Sequence, residues 1–138
     1  MGKVNLSAEE QALLTSILEL TATDVREKVT RALSADSESL RAAIGRVERQ
    51  ARLLGALEHG VLEVDSDLVE MFEEWRSSVL NAVEYENSTL RKLRAGDMGW
   101  CHDGMSPPES ERETLRYVDS LLDEVNACDS LLDRGAVA

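Results

Sequence analysis

Cys101, His102 and Asp103 stand side by side in the stretch G-D-M-G-W-C-H-D-G-M-S-P-P, residues 96–108. Thiolate, imidazole and carboxylate are the ligand types of zinc sites. Three consecutive residues seldom supply tetrahedral geometry, however, so the run makes a poor metal site. His59 and Cys128 offer two ligands and no defined third. The di-metal carboxylate site of helical bundles needs a Glu three residues before a helical His. At that spacing Ala56 precedes His59 and Gly99 precedes His102. There is no G-x-S-x-G, no phosphate-binding glycine loop and no H-E-x-x-H. Carboxylates are so abundant that no single pair of them marks acid–base chemistry. The sequence reads as a non-enzyme with no cofactor and no metal.

The same stretch has a second use. It is longer than a bundle turn requires and gathers Met98, Trp100, Cys101, His102 and Met105 among glycines. Trp and Met are favoured at protein contacts. Two placements are open for Trp100: a plug over the end of the helices with Met98 and Met105 filling gaps, or an exposed anchor. Trp75 reads as core.

Charge marks another surface. Residues 58–74 hold seven acids and no Lys or Arg, and five more acids run from Asp119 to Asp133. Asp65, Asp67, Glu70, Glu73, Glu74, Asp129 and Asp133 then form an acidic pole if the helices alternate in direction. Bases such as Arg26, Lys28, Arg31, Arg91, Lys92 and Arg94 gather at the other pole. Asp129 and Asp133 sit where a helix of this length should end, against the preference for cations there.

These residues are held by four segments with helical periodicity. The first opens at Ser7 with the capping box S-A-E-E and carries Leu13, Leu14, Ile17, Leu18, Thr21, Val25, Val29 and Leu33. S-A-D-S-E-S makes the first turn. The second places Leu40, Ile44, Val47, Ala51, Leu54 and Leu57 on the inward face and stops at Gly60. Asp65 or Asp67 caps the third, whose stripe is Leu68, Phe72, Trp75, Val79, Val83, Leu90 and Leu93. A gap near Glu86 and Asn87 reads as surface or as a register-fixing layer with Arg112 or Arg116. The fourth opens at S-P-P-E with Leu115, Val118, Leu122, Val125 and Leu132 inward, and G-A-V-A at its end frays. Nothing reads as a strand. The expectation is an all-α protein, an antiparallel up-down-up-down four-helix bundle in one domain over 1–138. Its helices are expected at 8–33, 38–59, 67–95 and 107–133.

The 138 residues suffice to bury a core without disulfide or metal. Two cysteines distant in sequence make no disulfide framework, and up-down order holds them about 31 Å apart along the fourth helix. The N-terminus shows neither a signal peptide nor a myristoylation signal, and no apolar run reaches membrane length, so the expected location is cytoplasmic. A formal net charge of −12 argues against direct binding to nucleic acid. Solubility or a halotolerant host accounts for such acidity, and so does a basic partner. The leading expectation is a protein-interaction module (regulator, adaptor or inhibitor) that docks a basic protein partner through the acidic pole, the 96–108 loop or both. A small-molecule or metal sensor using the helix interior or that loop is the alternative, and a DNA mimic is a third. A homo-oligomer is compatible with all three.

Overall fold

The computed structural model describes residues 2–33 and 36–137. It is all-α, with 83% of the described residues helical and four α-helices: α1 (Ala8–Ala32), α2 (Ser37–His59), α3 (Ser66–Arg94) and α4 (Pro107–Val137). Local chemistry sets their ends. The Ser7 hydroxyl accepts the Glu10 N–H at 3.1 Å while Glu10 Oε1 accepts the Ser7 N–H at 2.9 Å, which completes a capping box. Asp36 and Asp65 cap α2 and α3, accepting from Ser39 and Leu68 at 2.8 and 3.0 Å. Gly60, at φ 73°, takes the left-handed conformation that ends α2. Of the expected first turn, Ser34 and Ala35 lie outside the described residues.

Two strands correct the expectation of none. β1 (Lys3–Asn5) and β2 (Val61–Glu63) pair antiparallel, with Val4 opposite Leu62. Three residues per strand are too few to register as alternation. What stabilises them is burial of Val4 and Leu62, with Val64 buried beyond β2.

The chain forms two compact units. The first comprises residues 1–69 and 130–138 and holds α1, α2 and the small sheet. Its core is aliphatic: Leu13, Leu14, Ile17, Leu53, Leu62, Leu68 and Leu131. Here the N-terminus, the α2–α3 connection and the end of α4 meet. Gly2 N–H donates to the Gly135 carbonyl at 3.3 Å, and Val64 N–H to the Gly2 carbonyl at 3.0 Å. Arg134 donates to the Asn5 carbonyl and to the fully buried Glu10 carboxylate. A cation at that point compensates a carboxylate that would otherwise be buried alone.

The second unit is residues 70–129, a hairpin of α3 and α4. Val79 and Val83 pack with Val118, Leu121 and Val125, and Trp75 lies half-buried against them. Arg94 reaches Glu111, and Arg76 reaches Asp129, each at 2.7 Å.

Five further expectations are corrected. On α2 the buried residues are Ala43, Leu53 and Ala56; Leu40, Ile44, Val47, Ala51 and Leu54 are exposed. Small side chains suit the face turned to α1, so the larger ones remain outside. On α4, Leu115 and Leu122 are exposed, and Leu121, Ala127, Cys128 and Leu131 are buried instead. The chain does not leave its helix at 135: α4 continues to Val137 because Gly135 is buried against Val64. Asp129 and Asp133 are therefore not in the last turn, which carries Arg134. Leu33, expected on the first stripe, is exposed at the end of α1.

Candidate interaction surfaces

The α3–α4 loop is built by short polar contacts. Gly96 and Gly104 take positive φ, 84° and 76°, at its two bends. Between them Asp97 caps a 3₁₀ turn, Met98–Trp100, by accepting the Gly99 N–H at 3.0 Å. The far limb is fixed to α4: His102 N–H donates to Ser110 Oγ at 2.9 Å, and its Nε2 lies 3.4 Å from Thr114 Oγ1. Ser110 and Thr114 are fully buried, and Thr114 donates to the Ser110 carbonyl at 2.8 Å. A tether of this kind leaves little entropy to lose on binding.

Trp100 packs against two residues of α3. It is half-buried on the side of α3, its ring centroid 6.3 Å from that of Tyr85 at 60°, and Lys92 Nζ lies 3.7 Å from it. Edge-to-face and cation–π contacts fix the indole in place. Met98 is 65% exposed, and Met105 and Tyr85 are exposed too, so the methionines fill no gap. The loop therefore presents apolar side chains around an anchored indole.

Neither cysteine is in a disulfide: Cys101 is half-buried in the loop and Cys128 fully buried in α4. Cys128 donates to the Phe72 carbonyl at 3.4 Å. Burial, reinforced by the charge of Asp129, pushes its thiol up to about 11, so it is inert near neutrality. His59 is exposed at the end of α2. Among the described residues no group of three or more His, Cys, Asp and Glu is placed to hold a metal ion.

The seven acids of the expected pole divide. In the first unit Asp65 pairs with Arg52 at 2.9 Å, and its cap and that pair hold its carboxyl below the ordinary range. Asp67 and Asp133 are exposed there. In the second unit Asp129 is held by Arg76, while Glu70, Glu73 and Glu74 are exposed on α3. Among the described residues those three glutamates form no ion pair. The second unit carries fourteen acidic against six basic side chains, a net −8.

Glu86 is half-buried and Asn87 exposed, Arg112 and Arg116 are exposed, and Arg116 pairs with Glu113 on its own helix at 3.7 Å. The gap in the third stripe is thus surface. Among the described residues no helix is long and apolar enough to cross a membrane. No family model, curated protein or solved structure matches the chain.

Sequence reasoning missed two features. The Tyr85–Lys92 seat of Trp100 depends on a loop fold that no spacing encodes. The exposed stripe of α2 was legible, since Leu40, Ile44, Val47, Ala51 and Leu54 follow a four-three-four-three spacing. Its spacing does not say that it faces out.

Proposed function

We propose that this protein is a non-enzymatic interaction module that docks a basic protein partner, anchored on the 96–108 loop and steered by the acids of α3. One observation carries the reading: Met98, Met105 and Tyr85 are exposed around a half-buried Trp100 on a loop tethered to α4 through His102. Exposed apolar side chains on fixed backbone are the usual composition of an interface centre, and unpaired Glu70, Glu73 and Glu74 supply long-range attraction.

The test is affinity capture of a basic partner followed by kinetics on variants. Trp100→Ala and Met98→Ala raise the off-rate, with a loss of about 2 kcal/mol for Trp100 as a hot spot. Reversing Glu70, Glu73 and Glu74 to Lys lowers the on-rate, an effect that fades as salt rises. A captured partner that binds all these variants as it binds the original refutes the proposal.

A further inference from the structure

An unpartnered apolar face lies on α2, in the first unit. Leu40, Ile44, Val47, Ala51 and Leu54 are exposed, and Ile44, Val47 and Leu54 retain 48%, 45% and 52% of their accessibility. At 3.6 residues per turn they fall within an arc of about 80°, with the buried Leu53 and Ala56 on nearly the opposite side and the buried Ala43 at its edge. The line keeps the alternating three and four spacing of a helix–helix seam, with β-branched residues at its centre.

We infer that this face binds a second copy of itself, the two α2 helices pairing antiparallel across a two-fold axis. Charge identifies the occupant and the register. Arg41 and Glu48, both exposed, each follow a seam residue (Leu40 and Val47) and flank the line on the same side, one heptad apart. Set Ile44 against the partner's Val47, and Leu40 against the partner's Ala51. Arg41 then falls opposite the partner's Glu48, and symmetry repeats the pair, as an isologous contact requires. A slide of one heptad either way sets Glu48 against the partner's Glu48 or Arg41 against the partner's Arg41, so like charges penalise both alternatives.

The helix suits itself in another respect. With four arginines against three glutamates α2 is net +1 in a chain of −12, so repulsion between copies is weaker at this face than over the acidic remainder. Arg41, Arg46, Arg49 and Arg52 also make it a poor dock for the basic partner proposed for the loop. The two surfaces share no residue. A seam on one 23-residue helix is a small interface, so a micromolar dimer is the expected strength.

Sedimentation velocity of the full chain, from micromolar to millimolar concentration, should show a reversible monomer–dimer equilibrium. Ile44→Glu with Val47→Glu gives a monomer throughout, and circular dichroism checks that the fold persists, since both positions are exposed. Arg41→Glu and Glu48→Arg singly weaken dimerisation, each by roughly tenfold through two lost ion pairs and two repulsions. Combined in one chain they restore it, because the reciprocal pairs are re-formed with signs exchanged. A monomer at every concentration overturns the inference, as does a dimer indifferent to Ile44→Glu with Val47→Glu. A dimer abolished by those two changes but not rescued by the charge exchange overturns the antiparallel register. Trp100→Ala leaves the equilibrium unchanged.

Discussion

The two units solve the same packing problem with different side chains. All five aromatic residues, Phe72, Trp75, Tyr85, Trp100 and Tyr117, fall in residues 70–129, and the first unit has none. In the α3–α4 hairpin the large apolar residues of α3 point in, Tyr85 apart, and the other exposed ones lie at the loop and on α4. On α2 the order is reversed: Ala43, Leu53 and Ala56 face inward while Leu40, Ile44, Val47 and Leu54 face out. Small inner residues let helices approach closely, and the area lost from the core reappears on the surface. Apolar periodicity reports that a helix has an apolar face; it does not report which neighbour covers that face.

The largest effects test this contrast directly. Phe72→Ala removes a fully buried ring and is expected to cost about 3–5 kcal/mol, and Leu53→Ala about 2–5 kcal/mol. Leu54→Ala, one residue along α2, should stay within about 0.5 kcal/mol in dilute solution. Urea unfolding followed by circular dichroism measures all three. A Leu54 variant as damaged as the Leu53 variant breaks the assignment of faces.

Glycines give a second, smaller contrast. A Cβ on Gly135 meets three Val64 side-chain atoms at 3.0 Å, whereas one on Gly45 meets nothing within 4 Å. Gly135→Ala is expected to destabilise by about 1–3 kcal/mol despite alanine's better helix propensity. Gly45→Ala should stabilise by about 0.4–1 kcal/mol. If the first change proves neutral, the end of α4 does not depend on this close approach.

Much of the fold was legible because local chemistry determined it. Ser7, Gly60 and Ser106 punctuate helices wherever the chain goes, and the α3 stripe has only one apolar side to choose. Two things were illegible for definite reasons. Gly135 and the residues after it look like a frayed end unless Val64 is known to lie over them. Asp129 looks misplaced at a helix terminus until Arg76, 53 residues away, is seen to pair with it. The site was legible as composition and not as geometry. The 96–108 loop was selected by its Trp and Met, but Tyr85, Lys92, Ser110 and Thr114, which position it, are ordinary helical residues in sequence.

The smallest effects separate the units by pH. Burial raises the Cys128 thiol from 9.0 to about 11, so the native state prefers the neutral form. Its contribution is complete below about pH 9 and is lost as pH climbs toward 11. In the first unit the carboxyls of Asp36 and Asp65 are lowered from 3.8, by the Ser39 N–H and hydroxyl for one and by the Leu68 N–H and Arg52 for the other. Their contribution is present above 3.8 and disappears as pH falls through the lowered native values. Both tryptophans belong to residues 70–129, so fluorescence melts follow the second unit while circular dichroism follows the whole chain. The fluorescence melting temperature should drop between pH 9 and 11 in the original protein and drop less in Cys128→Ala, because the variant has no thiol to ionise. Asp65→Asn should flatten the acid limb seen by circular dichroism and leave the alkaline limb intact. Equal alkaline losses with and without Cys128 place the sensitivity elsewhere and remove this distinction between the units.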